Sequence, residues 1–146
     1  VGRLHDASPT LEKAYLLSKK HLGLSHPTTI VSRTLYYKFF VSQKQFAAAI
    51  PLVLESISIL GNGTDDAITR HQYLKQLYSL YGLTAQLAKE EETLLLFLEL
   101  DKRLYDTPDE DNKKIIQNLA NNYCRQKKYA EFNALVADHK LQFICE

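Results

Sequence analysis

The chain has 146 residues, 45% of them hydrophobic and 24% charged, which is the balance of an ordinary globular domain with one core. Lysine and arginine number 18 against 17 acidic residues, so no strong net field draws the protein to nucleic acid or to an anionic membrane. No apolar run reaches the length of a membrane span, and the first residues lack the apolar core of a signal peptide. We therefore expect no nucleic-acid or membrane partner and a cytoplasmic location.

We expect residues 1–146 to form a single domain. Because the chain begins at valine and contains no methionine, we expect it to be a fragment of a longer protein. Its two cysteines, Cys124 and Cys145, match neither a disulfide framework nor a metal-ligand pattern. We expect Cys124 to be a buried or idle thiol on a helix face.

The first predicted element is a helix over 10–22, with Leu11, Ala14, Tyr15 and Leu17 on its apolar side. It ends in the stretch "LGLSHP", where Gly23 can take the left-handed conformation that stops a helix. Ser25 or His26 can then cap a second helix, whose first turn suits Pro27. So short a stop and restart makes the two helices packed neighbours.

A helical hairpin is predicted after this joint. In its first helix, apolar residues recur at steps of four, and Val31, Leu35 and Phe39 form the apolar stripe. After the polar break "SQKQ", the second helix has the stripe Phe46, Ala49, Ile50, Val53, Ile57 and Leu60. Pro51 lies inside that second helix and should kink or delay it.

A second hairpin is predicted after "GNGTDDAITR", where glycines stop one helix and Thr64 or Asp65 caps the next. The apolar stripes of its two helices are Ile68, Tyr73, Leu74, Leu77, Tyr78 and Tyr81, then Leu87, Leu94, Leu95 and Leu98. The run "KEEE" at 89–92 is interpreted as a solvated helix face, and "LLLFLEL" at 94–100 as a segment buried between neighbours.

A third hairpin is predicted after Pro108, which stands 81 residues beyond Pro27, or two units of about 40. Its stripes are Ile115, Ile116, Leu119, Ala120 and Tyr123, then Tyr129, Phe132, Leu135 and Val136. Since strand patterns are nearly absent, the fold class is all-α: an α-solenoid of about seven helices. One leading helix is followed by three antiparallel hairpins, with units at about 26–61, 64–105 and 108–143.

The third hairpin resembles a tetratricopeptide (TPR) repeat. In "NLANNYCRQKKYAEFNALVADHK", Leu119, Ala120 and Tyr123 match the first helix of such a repeat and Tyr129 opens the second. Phe132 departs from the small residue usual there. The joint "LGLSHPTT" resembles that of the kinesin light chain type, whereas the middle unit has Thr84 where an aromatic is usual and Leu87 where alanine is.

The resemblance implies a concave groove lined by the first helix of each hairpin. The predicted groove residues are Thr34, Lys38, Gln72, Tyr73, Gln76, Lys114, Asn118, Asn121 and Arg125. Their amides and cations suit an extended peptide, although the two-lysine, two-asparagine clamp of chaperone-tail binders is not reproduced.

Catalytic motifs are not found in the sequence: no histidine pair has metal-ligand spacing on one helix, and no phosphate-binding loop occurs. The predicted function is a non-catalytic module, without metal or cofactor, that binds a peptide or partner protein in the groove. The alternative is a structural or regulatory segment of a larger protein, for example beside a protease or signalling domain, whose end helices pack on neighbouring domains.

Overall fold

The computed structural model describes residues 7–105, 110–142, 144 and 145, and the side chains of all of these except 110 and 111. Its helices are α1 (Ala7–Leu22), α2 (Pro27–Ser42), α3 (Phe46–Ser58), α4 (Thr64–Leu83), α5 (Leu87–Leu104), α6 (Glu110–Arg125) and α7 (Tyr129–His139). Every regular element in these ranges is a helix, so the predicted all-α class is confirmed. None of the helices described is long and apolar enough to cross a membrane.

The helices form two compact units, Val1–Gly61 and Asn62–Glu146. In the first unit α2 packs against both α1 and α3; in the second, α5 packs against α4 and α6, and α6 against α7. The pairs α2–α3, α4–α5 and α6–α7 lie inside the three predicted repeat units. That residues 1–146 form one domain stays a prediction.

The three hairpins share one turn geometry. A single residue with positive φ lies in the middle of each turn: Lys44 at 57°, Ala85 at 55° and Lys127 at 59°. The amide of the next residue donates five residues back in each case, as from Gln45 to the Phe40 carbonyl at 2.9 Å. The turn residues are 41 and 42 positions apart, which confirms a repeat of about 40 residues.

This common turn corrects the register predicted for the middle repeat. Phe46, Leu87 and Tyr129 each follow the left-handed residue by two positions and are equivalent. Thr84 is the C-cap of α4, so aligning it with the aromatic that opens the second helix was wrong by three residues. The sequence hides this turn because its left-handed residue is an alanine, not the glycine or asparagine that usually marks one.

The buried face of α2 differs from the predicted one. Val31 and Leu35 are 58% and 48% exposed, whereas Arg33 is 1% exposed. The Arg33 guanidinium donates to Ser56 Oγ at 2.9 Å and to the Leu24 carbonyl at 3.3 Å. These partners lie on other segments of the chain. A sequence pattern that assigns arginine to solvent therefore predicts the wrong buried face for α2.

The predicted core of α6 is confirmed, since Ile115, Ile116, Leu119, Ala120 and Tyr123 are all buried. In α5 the apolar run is buried on one side only. Leu94 and Phe97 lie inside, while Leu95 and Leu96 are 46% and 48% exposed, so the prediction of a wholly buried segment was wrong.

The first joint has the predicted form. Gly23 has φ +86°, Pro27 opens α2, and the His26 ring Nδ1 accepts from the Thr28 amide at 3.2 Å. The prediction for the joint before α4 was wrong. Gly63, without a side-chain cap, precedes α4, which contradicts capping by Thr64 or Asp65.

Two predictions concern prolines. Helix α3 begins at Phe46 and continues through Pro51, so the predicted delay of that helix was wrong. The start of the third hairpin at Pro108 lies outside the described residues.

The two cysteines are paired. Cys124 on α6 forms a disulfide with Cys145, with 5.5 Å between the Cα atoms, which contradicts the prediction of an idle thiol. The pairing depends on the segment after α7 returning to α6. Two cysteines 21 residues apart carry no sequence signal for such a return.

Candidate protein-binding surface

One row of exposed or half-exposed positions recurs on the first helix of every hairpin. Counted back from the left-handed turn residue, the positions are spaced by four, three and four residues, so each row lies on one helix face. We call each row an outer stripe: Val31, Leu35, Lys38 and Ser42 on α2; Gln72, Gln76, Ser79 and Leu83 on α4; Lys114, Asn118, Asn121 and Arg125 on α6. No residue of these stripes is buried.

Seven of the nine predicted groove residues belong to the outer stripes, namely Lys38, Gln72, Gln76, Lys114, Asn118, Asn121 and Arg125. Thr34 is exposed but lies beside the stripe of α2, where its hydroxyl donates to the Ile30 carbonyl at 2.8 Å. Tyr73 is half-buried and occupies the place of Ser32 and Ile115, both of which are buried. Whether a ligand occupies the stripes stays a prediction.

Three stripe residues are apolar and were missed by the sequence prediction. Val31, Leu35 and Leu83 are 58%, 48% and 61% exposed. The four-residue spacing of Val31 and Leu35 assigned them to the core. The turn register of the third hairpin was the signal that could have placed them outside.

The orientation of α6 is set by a polar interface with α5. Asn122 is fully buried, and its Nδ2 donates to the Leu87 carbonyl and to Glu90 Oε2, each at 2.9 Å. Since successive helical residues are rotated by 100°, a buried Asn122 turns Asn121 toward solvent and leaves Arg125 at the edge of the interface.

The run at 89–92 contributes Glu90 and Glu91 to this interface, so its interpretation as a solvated face was wrong for these two residues and holds for the exposed Lys89 and Glu92. Glu90 is 8% exposed. Glu91 accepts hydrogen bonds from Gln126 Nε2 and Lys128 Nζ, each at 2.6 Å. The hydrogen-bond partners of Glu90 and Glu91 lie more than 30 residues further along the chain, where a local sequence pattern cannot detect them.

Gly82 makes room for the buried carboxylate. A Cβ at this position would lie 2.7 Å from Glu90 Oε1. Arg125 completes the cluster, with a guanidinium nitrogen 3.5 Å from Glu90 Oε2 and 42% of its side chain exposed. The α6 stripe thus ends in a cation fixed on one side by the acid and open to solvent on the other.

Two solved structures share this architecture over 94% of the chain. Both are crystal structures of a protein described as a kinesin light chain of Podosopora anserina with nearly identical TPR-like repeats. Each superposes with a TM-score of 0.70 at 17% sequence identity. The fold is TPR-like.

This likeness is one of fold alone, given the low identity. The chain spans 65% of the length of those two structures. No protein-family model matches the chain, and no curated protein matches it.

In the TPR-like register, the position occupied by Ala49 in the first hairpin is Glu90 in the second and Phe132 in the third. A TPR repeat usually has a small residue at this position. Glu90 fits because it reaches past Gly82 to Asn122. A buried carboxylate thus replaces a tight apolar contact in the middle repeat.

Unit Val1–Gly61 has its own, partly buried, charge cluster, centred on Glu55 of α3. Tyr15 Oη and Lys19 Nζ of α1 both donate to its carboxylate, and Arg33 of α2 lies 3.4 Å from Oε2. Burial by itself raises the pKa of Glu55, but the hydrogen bonds from Lys19 and Tyr15, together with the positive charges of Lys19 and Arg33, hold that pKa below its usual value. Burial raises the pKa of Tyr15, so its hydroxyl stays a donor.

In the unit Asn62–Glu146, Asp101 joins three helices. His71 Nε2 of α4 lies 2.9 Å from Oδ1, and Asn112 Nδ2 of α6 donates to Oδ2 at 2.8 Å. Among the residues described, no group of three histidine, cysteine or acidic side chains could hold a metal ion. Glu55 in the first unit and Asp101 in the second thus serve contacts between helices.

Proposed function

We propose that this protein is a non-catalytic interaction module that binds a peptide or partner protein along the outer stripes of its first helices. The observation that carries the proposal is the stripe of α6, where Asn118, Asn121 and Arg125 share one face that the buried Asn122 orients outward. TPR-like folds generally act in protein interaction, and this row of amides and a cation is the surface that such a role would use.

The chemistry of each stripe suggests what it binds. Amides of Asn118 and Asn121 can pair with the main chain of an extended peptide, and Arg125 can pair with an acidic group. On α2, Val31 and Leu35 offer an apolar contact beside Lys38. We therefore propose that the α6 stripe binds a peptide segment that carries acidic residues, and that the α2 stripe, in the other unit, offers an apolar contact of its own.

A non-catalytic role is supported by the use made of the buried and half-buried acids. Glu55, Glu90 and Asp101 are each held by side chains of other helices. A general acid or base needs a carboxyl directed at a substrate site.

The alternative, a structural or regulatory segment of a larger protein, is favoured by a different observation. The face of α1 turned away from α2 leaves Leu16 and Leu17 51% and 47% exposed, beside an open cleft. Such a face suits packing against a neighbouring helix.

A cytoplasmic location remains part of the proposal, and the Cys124–Cys145 disulfide is the observation that counts against it. Disulfides persist in oxidising compartments and are rare in the reducing cytosol. Alkylation of the native protein in cell extract, followed by mass measurement, distinguishes a reducing from an oxidising location. Alkylation of both cysteines would support the cytoplasm, and a protein without alkylated cysteines would count against it.

The proposed function is tested by selecting peptides on the wild-type protein from a phage-displayed peptide library. Selected peptides are then titrated by fluorescence anisotropy against Asn118→Ala/Asn121→Ala and, separately, Arg125→Ala. We expect each variant to bind the peptides about tenfold or more weakly than the wild type. Raised salt should reduce the difference in affinity between the wild type and Arg125→Ala, because it screens the charge pair.

The matched control is Lys113→Ala/Gln117→Ala, two exposed residues of α6 outside the stripe. It should bind as tightly as the wild type, and circular dichroism should show all variants folded. Equal binding by wild type and both stripe variants would refute the stripe as the ligand site.

A further inference from the structure

The residues that lead into α4 have no part in the proposed function. Asn62 and Gly63 precede the helix, and Thr64 is its first residue. All three are exposed. A Cβ added at Gly63 would have no atom within 4 Å apart from its chain neighbours. Asn62 is therefore an exposed asparagine outside regular structure, followed by a residue without a side chain.

No described residue holds the side chain of Asn62 or the amide of Gly63 in place. The Gly63 carbonyl accepts from the Ala67 amide at 2.9 Å, which begins the hydrogen bonding of α4. The Gly63 amide, by contrast, donates to none of the residues described, and the Asn62 side chain has no partner among them. Neither group thus has to give up a hydrogen bond within the described part of the chain before it reacts.

The two groups are suited to react with each other. After a base removes its proton, the Gly63 nitrogen attacks the side-chain carbonyl carbon of Asn62. A C–N bond forms, the Cγ–Nδ2 bond breaks, and ammonia leaves. Water then opens the resulting succinimide at one of its two carbonyls, which gives either aspartate or isoaspartate. Because Gly63 has no Cβ, its nitrogen reaches the carbonyl carbon with little steric hindrance.

The other asparagines of the chain are in a different setting. They lie in helices and are each followed by a residue with a side chain: Asn112, Asn118, Asn121 and Asn122 in α6, and Asn133 in α7. Within a helix, backbone amides donate to carbonyls four residues back, so they are not free to attack a side chain. Asn112 and Asn122 also use their own Nδ2 atoms as donors.

We infer that Asn62 is a modification site, which converts to aspartate and isoaspartate through a succinimide formed with the Gly63 nitrogen. Both products add a negative charge close to Asp65 and Asp66, the acids of the first turn of α4. Isoaspartate also adds a methylene to the main chain directly before the N-cap Gly63. The inference uses neither the outer stripes nor α1, so it does not depend on the proposed function.

The test follows Asn62 in the folded wild-type protein during incubation at mildly alkaline pH. Trypsin releases the peptide Gln45–Arg70, in which Asn62 is the single asparagine. Chromatography with mass spectrometry then separates its amide, aspartate and isoaspartate forms. The peptide Ile115–Arg125, which carries asparagines of α6, is the internal control.

The matched variant is Gly63→Ala. Gly63 has φ −69° and open surroundings, so alanine fits there without strain, and circular dichroism should show the variant folded. We expect Asn62 of the wild type to give both products while the asparagines of the control peptide remain amides. Gly63→Ala should convert at least about tenfold more slowly, because a Cβ then stands beside the attacking nitrogen.

Three results would overturn the inference. One is an Asn62 amide as persistent as those of the control peptide, and another is equal conversion in the wild type and Gly63→Ala. The third is a glycan on Asn62 in the protein isolated from its source. Asn62-Gly63-Thr64 has the pattern of a glycosylation acceptor, and a sugar would occupy the nitrogen that has to leave.

Discussion

At the scale of single residues, neighbours in sequence have opposite roles in this protein. Asn121 is exposed on the α6 stripe, and Asn122 is fully buried between α5 and α6. Arg33 is buried while Val31 and Leu35 are exposed. Residue type alone predicts none of these pairs, because the decisive partners, Glu90 and Ser56, lie 32 and 23 residues away.

The two asparagines give a matched pair of substitutions. Asn122→Ala should lower the free energy of unfolding by about 2–3 kcal/mol, because the buried Glu90 carboxylate and the Leu87 carbonyl lose a donor. Asn121→Ala should change it by less than about 0.5 kcal/mol, since it is a surface substitution. Urea denaturation of both variants measures the difference. Comparable losses would place Asn121 in a core and remove it from the stripe.

At the scale of elements, the repeats are joined by a turn that tolerates different residues. Lysine, alanine and lysine occupy the left-handed position, although glycine would be the least strained choice. The packing of the hairpins holds these residues in that conformation. Between elements, ion clusters complement the apolar core: Glu55 joins α1, α2 and α3, and Asp101 joins α4, α5 and α6.

The Glu55 cluster predicts a pH dependence. Because the folded pKa of Glu55 lies below its ordinary value of 4.5, its contribution to stability is present above that value and is lost as pH falls through the folded pKa. Glu55→Gln should therefore be less stable than the wild type at pH 7, and the gap should narrow below about pH 4.5. Urea denaturation of both proteins from pH 7 to pH 3 measures it. A gap of constant size would show that the carboxylate is not held in its charged form.

At the scale of the whole molecule, stability is divided between two compact units with different reinforcement. Residues 1–61 rely on the Glu55 cluster. Residues 62–146 have the polar interface of Asn122 and the disulfide that ties the segment after α7 to α6. The open face of α1 lies in the first unit and the α6 stripe in the second, so each can be altered in a separate unit.

Reduction of the disulfide is expected to destabilise the second unit. For cysteines 21 residues apart, the chain-entropy model gives a loss of about 3 kcal/mol. Hydrogen exchange of the oxidised and reduced protein should show lower amide protection in α6 and α7, with α1–α3 unchanged. Cys124→Ser/Cys145→Ser should match the reduced wild type and should not respond to reductant. Equal protection in the two redox states would mean that the tether adds nothing to stability.

The sequence by itself determined the helical class, the repeat length, the first joint and the core of α6, because these follow from local spacing. The stripe Ile115 to Tyr123 repeats at helical steps, and Gly23 and Pro27 act within a few residues of themselves. Seven of the nine groove candidates also fall on exposed stripes for this reason.

Only the tertiary structure decided which polar residues are inside and which apolar ones are outside. The rotation of α2 depends on Arg33 reaching Ser56, and that of α6 depends on Asn122 reaching Glu90. The pairing of Cys124 with Cys145 depends on the course of the chain after α7. Burying a polar group is favourable only when its partners are in place, and those partners come from distant segments that no local pattern contains.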